Sequence, residues 1–213
     1  MSGLVDGLRV SAGVHAPSPF SVLLVDSMRD PHDLVCVDAG CGAGLVTVAL
    51  LQRGAREVFA FDKDRYAVAD ARANVTRLTP EPQRARIRIG GFAELSGERC
   101  DMLLCNPPQR PRALWADLER SAQRPFFVAG HDGLGAVRLV LTLTPAARAI
   151  FSLSSLVCPD ASPIAAEFGR EAHLLGERLV QHDPVWGRIS KELLMPARVW
   201  EMRAPRTSGS TTP

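Results

Sequence analysis

The sequence predicts an α/β fold built on a seven-stranded, mostly parallel sheet with helices on both faces. Short apolar runs, such as residues 34–37 and 58–61, alternate with segments of helical periodicity, such as residues 64–78. Apolar runs of this kind are typical of buried parallel strands, and their alternation with helices indicates βαβ units. A glycine-rich segment at residues 40–44 joins the first run to an apolar helix, which indicates a strand-to-helix turn that meets a ligand.

The composition is that of an ordinary globular protein. Of the 213 residues, 46% are hydrophobic and 23% are charged, and the formal net charge is +2. This balance indicates no strong field for a nucleic acid or a membrane, so neither is an expected partner. The five cysteines form no C-x-x-C pair, which favours reduced buried thiols and no metal centre. No apolar run approaches about 18 residues and no leader precedes the domain, so we expect a cytoplasmic protein.

The chain divides into three parts on these patterns. We expect an N-terminal cap segment over 1–30, a main domain over 31–203 and a disordered Ser/Thr/Pro-rich tail over 204–213. Residues 1–8 show no regular pattern and are expected to be irregular.

The segment before the first amphipathic run is expected to be extended. Pro17 and Pro19 require extended or turn geometry. Ser18 or Ser21 is the candidate cap of the helix that follows. Such a segment is well placed to cover a ligand. His15 within it is interpreted as a surface-loop residue, with substrate contact as the alternative.

Asp38 and the glycines Gly40, Gly42 and Gly44 mark the first strand-to-helix turn. Glycine turns the backbone sharply and admits a ligand to the main chain, and a helix N-terminus adds N–H groups. The spacing is G-x-G-x-G, with a leucine where a dinucleotide fingerprint has its third glycine. Asp62 ends the next strand, where a carboxylate can accept both ribose hydroxyls of an adenosine. A nicotinamide oxidoreductase and a glycine turn of another α/β protein are the alternatives.

The remaining elements follow from periodicity. Residues 85–89 alternate between apolar residues and arginines, which predicts a strand with one wet face. We interpret the arginines as protection of an edge strand, with a phosphate-binding row as the alternative. The later predicted elements are a helix over 136–143, a strand over 149–153, a helix over 163–168 and strands over 173–180 and 192–202.

The segment Asn106-Pro107-Pro108-Gln109 follows an apolar strand over 100–105. The carboxyl end of a central strand is where open α/β sheets bind ligands. The prolines fix φ and remove backbone donors, so the carbonyls of Asn106 and Pro107 are rigid acceptors. Together with the Asn106 side-chain oxygen, they can hold the N–H groups of an amine or amide.

Residues 109–130 come directly after this segment and are the natural wall of a substrate site. Arg110 is a candidate for holding an acidic substrate. Trp115 either contacts the substrate or packs the loop against the domain.

The glycine turn with Asp62 resembles the class I S-adenosylmethionine-dependent methyltransferases, whose first motif is D/E-x-G-x-G-x-G. The resemblance implies a Rossmann-like sheet that ends in an antiparallel hairpin. It implies that Asp38 and the turn hold the methionine part of the cofactor and that Asp62 holds the ribose. The family usually has an acid after the third strand that reads the adenine amino group. Gly91 stands there instead, and Phe92 either packs on the adenine or belongs to the core.

The N-P-P-Q segment resembles the N/D-P-P-Y/F/W motif of nitrogen methyltransferases, above all the HemK/PrmC type, and residues 130–135 are similar to its G-G-x-D-G-L stretch. In those enzymes the Asn and the first Pro carbonyl hold the target NH2. The resemblance therefore implies catalytic roles for Asn106 and Pro107, with Asn106 also at the cofactor. Gln109 departs from the aromatic residue that stacks on a planar target. The implied substrate-binding residues are Pro108, Gln109, Arg110 and Trp115.

These features predict methyl transfer from S-adenosylmethionine to an amine or amide nitrogen, with S-adenosylhomocysteine as product. A small nitrogen-containing metabolite is the first candidate acceptor, and a protein glutamine or a nucleic-acid base is the alternative. A nicotinamide-dependent oxidoreductase and a non-catalytic cofactor-binding subunit are further alternatives. Short members of the resembling family include some that need a small activating subunit, so such a subunit or a second copy is a candidate partner.

Overall fold

The sheet of the computed structural model has seven strands within the described residues 2–96, 99–111, 130–144, 146–182, 184, 190–192 and 194–205. The strands are β1 (Val35–Ala39), β2 (Glu57–Asp62), β3 (Ala85–Ile89), β4 (Met102–Cys105), β5 (Arg148–Ser154), β6 (Glu171–Gln181) and β7 (Leu194–Arg203). Their order is β3-β2-β1-β4-β5-β7-β6. Strands β1 to β5 pair in parallel, and β7 is antiparallel to both β5 and β6. The predicted mostly parallel sheet with a C-terminal antiparallel hairpin is confirmed.

Helices cover both faces of this sheet. They are α1 (Ser2–Gly7), α2 (Pro19–Ser27), α3 (Leu45–Gln52), α4 (Arg65–Leu78), α5 (Gly135–Leu143) and α6 (Ser162–Ala166), with 3-10 turns at Pro82–Arg84 and Phe92–Leu95. Within the described ranges, no helix combines the length and apolarity that crossing a bilayer would require. Residues 206–213 of the predicted tail lie outside the described residues.

Two hydrophobic clusters fill the space between the helices and the sheet. Successive strand residues point to opposite faces, so Cys36 of β1 belongs to one cluster and Val37 to the other. Helices α2, α3 and α4 cover the first face, and α5 and α6 cover the second. Because both faces are buried, the central strands are largely apolar, which is why they could be recognised in the sequence.

Two helix starts have side-chain caps, and the helix at the N-terminus was not expected. The Asp64 carboxylate caps α4 by accepting from the Tyr66 N–H, and Ser18 caps α2. Residues 2–7 were expected to be irregular but form α1. The physical reason is tertiary, because Leu4 and Val5 pack against the first hydrophobic cluster and stabilise a helix that is too short to persist alone.

The arginine row lies on β3 at the edge of the sheet, as the preferred interpretation of the sequence predicted. The Arg86 Nε lies 2.5 Å from the Glu57 carboxylate, and its guanidinium lies 5.3 Å from the centre of the Phe59 ring. Arg84 pairs with Glu81 at 2.8 Å. These arginines are used within the fold, which supports edge protection over phosphate binding.

A buried carboxylate ties the C-terminal hairpin to β5. Glu201 of β7 is 0% exposed and accepts hydrogen bonds from the Arg148 Nε at 2.6 Å and the Arg203 Nε at 2.7 Å. The Arg29 Nε lies 3.7 Å away. Burial acts to raise the pKa of Glu201, but the hydrogen bonds from Arg148 and Arg203 outweigh it and the pKa lies below its usual value.

We predict that Glu201→Gln destabilises the protein by about 2 kcal/mol at pH 7, because it leaves partly buried guanidinium groups without their counterion. A carboxyl group with a lower pKa in the folded than in the unfolded protein stabilises the fold at pH values above the unfolded pKa, and this contribution is lost as the pH falls. The difference in unfolding free energy between the variant and wild type therefore shrinks below about pH 4. Urea unfolding measures both effects. Glu177→Gln, which breaks the exposed pair with Arg198, is the control and changes the unfolding free energy by less than about 1 kcal/mol. An equal loss in both variants would contradict the role of Glu201.

Candidate functional site

A cavity of about 770 Å³ opens at the carboxyl ends of β1, β2 and β4. Strand β1 connects to β2 on one side and pairs with β4 on the other, so the strand order reverses at this point. Such switch points form ligand-binding crevices in α/β sheets. Of the predicted site residues, the cavity is lined by Asp38, Gly40, Gly42, Asp62, Phe92, Asn106, Pro107, Pro108, Gln109 and Arg110.

The glycine turn adopts a backbone that side chains disfavour. Gly40, Gly42 and Gly44 have φ values of 82°, 52° and 91°. A Cβ at Gly40 or Gly42 would meet nothing within 4 Å, so both border open space in the cavity. The N–H of Gly40 donates to the Phe61 carbonyl at 3.0 Å, which ties the turn to β2.

Gly44 lies on the packed side of the turn. It is absent from the cavity lining, and a Cβ there would lie 3.0 Å from the Cα of Ala71 on α4. The absence of a side chain lets the start of α3 approach α4. Gly44 therefore has a packing role in the fold, and its cofactor contact stays a prediction.

Asp62 fixes the second strand end to the turn. Its Oδ2 accepts from the Gly42 N–H at 2.9 Å, and its Oδ1 accepts from the Asp64 N–H at 3.0 Å. A carboxylate has about four lone-pair sites, so acceptor capacity remains for ligand hydroxyls. The side chain lines the cavity, and its contact with a ribose stays a prediction.

Asp38 is a buried acid beneath the turn. It is 2% exposed and accepts a hydrogen bond from the Thr47 hydroxyl at 2.6 Å. Burial raises the pKa of Asp38 to about 7; the Thr47 hydrogen bonds oppose this rise and the charge of Asp62 adds to it. A cationic ligand group beside Asp38 would stabilise its ionised form. The site is thus suited to a ligand that carries positive charge at this end.

Phe92 forms part of the wall beyond Asp62. Its ring meets Phe61 edge to face, with ring centres 6.5 Å apart at 82°. Gly91 also lines the cavity and has extended backbone geometry. Among the described cavity-lining residues, Asp38 and Asp62 are the carboxylates. This end therefore offers an apolar surface for a planar base, and the acidic reader of the resembling family is replaced by glycine.

Asn106 is held by the segment that precedes α2. Its Nδ2 donates to the hydroxyl of Ser21 at 3.0 Å and to that of Ser18 at 3.3 Å. Within the described chain, no donor bonds to its Oδ1, which is left as the acceptor on a cavity-lining side chain. Pro107 follows and is buried in the wall. The two serines were expected only as helix caps, since sequence spacing gives no signal for contacts across 85 residues or more.

Gln109 lines the cavity, but its amide is bonded to β5. Its Oε1 accepts from the Ser154 N–H at 2.6 Å, and its Nε2 lies 3.4 Å from the Ser152 carbonyl. These bonds hold the loop after β4 against the sheet, so the amide serves the fold. Pro108 and Arg110 also line the cavity, whereas Trp115 lies outside the described residues.

His182 is a wall residue that the sequence did not point to. It is buried after β6, with Nε2 2.6 Å from the Ser154 hydroxyl and Nδ1 3.1 Å from the Val180 carbonyl. Because a carbonyl can only accept, Nδ1 carries the proton and Nε2 accepts from Ser154. Its ring also meets Phe20 edge to face, with ring centres 5.6 Å apart.

His15 is exposed, in agreement with the surface-loop interpretation, and it also lines the cavity, while its contact with a substrate stays a prediction. Burial of one side of the ring and the nearby charge of Arg110 lower the pKa of His15. The five cysteines are free thiols, as the sequence suggested. Among the described residues, no group of three or more His, Cys, Asp or Glu side chains is arranged to hold a metal ion.

Known proteins share this sequence pattern and fold. Ribosomal protein L11 methyltransferase of Prochlorococcus marinus strain MIT 9303 is 38% identical over 104 residues, which cover 47% of this chain and 34% of that protein. The match thus spans about a third of the length of that curated relative.

Two solved structures show the same fold at low sequence identity. The E. cuniculi Mtq2–Trm112 complex, which methylates the eRF1 translation termination factor, matches with a TM-score of 0.65 at 14% identity, over 90% of this chain and 99% of that chain. Magnesium protoporphyrin IX methyltransferase of Synechocystis PCC 6803 with bound S-adenosylmethionine matches with a TM-score of 0.54 at 18% identity, over 86% and 76% of the two chains.

The family comparison covers the cavity itself. Residues 16–127 match the methyltransferase small domain, and this range contains the glycine turn, Asp62 and the N-P-P-Q segment. Since the match spans more than half of the 213 residues, the chain belongs to the methyltransferase small domain family of S-adenosylmethionine-dependent methyltransferases.

Proposed function

We propose that this protein transfers a methyl group from S-adenosylmethionine to an amine or amide nitrogen. The observation that carries the proposal is the placement of Asn106. Its amide nitrogen is bound by Ser18 and Ser21, and its side chain lines the same cavity as Asp38 and Asp62. One cavity thus combines acidic groups suited to a nucleoside-based cation with an oriented acceptor for N–H groups.

The described residues fit S-adenosylmethionine. A cavity of about 770 Å³ is within the usual range for such ligands and leaves room for part of an acceptor. Asp38 suits the positive charge of the methionine end, Asp62 the ribose hydroxyls and Phe92 the planar base. When bound, the cofactor would supply an electrophilic methyl group on a good leaving group.

The chain's own contribution is to position the acceptor nitrogen. Asn106 Oδ1 and the Pro107 carbonyl would accept hydrogen bonds from the target N–H groups and so direct the nitrogen lone pair along the cavity. Holding the two reactants in line makes the largest contribution to the catalysis of such a displacement, so no strong base is required. The buried wall that includes Pro107 and His182 would exclude water from the reacting groups.

The proposal extends the resemblance to HemK/PrmC-type enzymes. The curated relative is named for ribosomal protein L11, and the Mtq2–Trm112 complex methylates a termination factor. These names favour a protein nitrogen as the first acceptor to test. A small nitrogen-containing metabolite remains in the proposal as the second acceptor class, and a nucleic-acid base as the third.

A small partner subunit is part of the proposal. The solved Mtq2 structure contains Trm112 as a second component. Strands β3 and β6 form the two edges of the described sheet, and since arginines protect the β3 edge, the β6 edge is the one that offers main-chain groups to a partner or to a second copy.

Two substitutions separate cofactor binding from methyl transfer. We expect Asp62→Ala to weaken S-adenosylhomocysteine binding by at least about 100-fold, because it removes the ribose acceptor and the bond to Gly42. Asn106→Ala should bind within about threefold of wild type but lose methyl transfer by at least about 100-fold. Titration calorimetry and transfer of a radiolabelled methyl group measure the two effects.

The control is Asp101→Asn, whose carboxylate accepts from the Val35 N–H outside the cavity. This variant binds and transfers as wild type does. Wild type that bound NADH and no S-adenosylmethionine would favour an oxidoreductase, and methyl transfer unaffected by Asn106→Ala would favour a non-catalytic subunit.

Cofactor binding should depend on pH through Asp38. Its pKa is raised to about 7 without ligand, so the side chain is mostly protonated below that pH. A cationic ligand group favours the ionised form, and binding therefore releases a proton and weakens as the pH falls from 8 to 6. Calorimetry in buffers of different ionisation enthalpy measures the released proton. Asp38→Asn binds more weakly and without this proton release; proton release that persisted in Asp38→Asn would assign it to another group.

The acceptor class is tested by a matched panel. We expect radiolabel from S-adenosyl-[methyl-³H]methionine to enter ribosomal protein L11 or a translation termination factor and to be lost with Asn106→Ala. The protein-free metabolite fraction of a bacterial extract and total tRNA are the parallel samples. Label confined to the metabolite fraction would overturn the protein acceptor and support the small-molecule one.

A further inference from the structure

The segment between α1 and α2, residues 9–18, crosses α4 before it reaches the cavity, and we call it the strap. Its first anchor is Asp70 of α4. The N–H of Ser11 donates to Asp70 Oδ2 at 2.7 Å, and the Ser11 hydroxyl donates to Asp70 Oδ1 at 2.7 Å. Both carboxylate oxygens are thus used by one strap residue, in charge-assisted bonds of the stronger kind.

The second anchor is Asn74, one helical turn further along α4. The Arg9 N–H donates to Asn74 Oδ1 at 2.9 Å, and Asn74 Nδ2 donates to the Arg9 carbonyl at 2.8 Å. Asn74 Nδ2 also donates to the Ala43 carbonyl at 2.9 Å, inside the glycine turn. The Asn74 side chain is fully buried, so it links the strap and the turn from within the fold.

An apolar contact completes this attachment. Val14 of the strap forms a small buried cluster with Ala43 of the turn and Ala67 of α4. Residues 67, 70 and 74 are spaced three and four apart, so one face of α4 holds residues 9–14 of the strap. The strap is therefore fixed directly behind the part of the turn that borders the cavity.

The other end of the strap forms the cavity wall. His15, Pro17 and Ser18 line the cavity, and the Ser18 hydroxyl accepts from Asn106. Asp70 and Asn74 themselves do not line it. The strap thus connects Asp70 and Asn74, which lie outside the cavity, to a part of the wall that a bound cofactor and the Asn106 amide would both contact.

We propose that Asp70 and Asn74 are positioning residues for cofactor binding, which act by holding the strap against the cavity. The inference rests on the proposed function, because it needs S-adenosylmethionine as the ligand. A ligand that contacts the docked strap binds with an apparent Kd equal to its intrinsic Kd divided by the docked fraction. Loosening the anchor lowers this fraction. By linkage, the bound cofactor shifts the equilibrium between the undocked and the docked strap toward the docked form by the same factor.

The test uses Asp70→Ala in the full chain, because Asp70 bonds the strap and, within the described residues, does not contact the turn. We expect its Kd for S-adenosylhomocysteine to rise about tenfold, within the usual range of coupling between sites. The second readout is trypsin cleavage after Arg9, whose main-chain groups are bonded to Asn74 when the strap is docked. We expect faster cleavage in Asp70→Ala and restored protection when S-adenosylhomocysteine is added.

Thr76→Ala is the matched control on the same helix, since its hydroxyl bonds only to the Arg72 carbonyl among the described residues. It binds and is cleaved as wild type is. Ser11→Ala removes one of the two Asp70 bonds from the strap side and should shift both readouts in the same direction by a smaller factor. If Asp70→Ala fails to fold, Ser11→Ala tests the inference in its place.

Two results would overturn the inference. One is faster cleavage at Arg9 with an unchanged Kd, which would show a loosened strap without coupling to the cofactor. The other is unchanged cleavage in both Asp70→Ala and Ser11→Ala, which would show that these bonds do not hold the strap. Failure of wild type to bind S-adenosylhomocysteine would instead overturn the proposed function, and with it the premise of this inference.

Discussion

The hydrogen bond from the Gly42 N–H to the Asp62 carboxylate is the contact on which the cavity depends. It joins the turn after β1 to the end of β2, and the second oxygen of the same carboxylate accepts from Asp64 at the start of α4. One side chain therefore sets the turn, the strand end and the helix start relative to each other. Positive φ at Gly42 allows its N–H to point there, so the end of the cavity beside Asp62 is fixed by the main chain itself.

The sheet could be predicted from the sequence because its signals are local. The central strands of the parallel part are short, largely apolar runs covered on both faces, and Asp64 and Ser18 are residue types that commonly cap helices. Helix α1 could not be predicted, since a short segment becomes helical only through its packing on the core. The choice of edge protection over phosphate binding likewise needed the sheet order and the acidic partners of Arg84 and Arg86.

The lining of the cavity was predictable where a single strand end carries the residue, as for Asp38, Asp62 and Asn106. It was not predictable where two distant segments meet. Gln109 appears in the sequence as a residue after the N-P-P segment, and only the fold shows its amide bonded to β5. No sequence pattern pointed to His182, because its partners Ser154 and Phe20 come from two other parts of the chain.

The two halves of the cavity wall come from different parts of the chain. The wall around the turn is contributed by a continuous βαβ unit, residues 35–62, whereas Asn106 bonds to the strap and to α2, and residues 180–182 at the end of β6 line the same cavity. Changes at residues 180–182 would therefore reshape one part of the cavity while the turn keeps its geometry. Such a division would let a lineage alter the shape of the cavity through changes in peripheral segments, and it marks the β6 end as the place where an engineer would begin to redirect the protein.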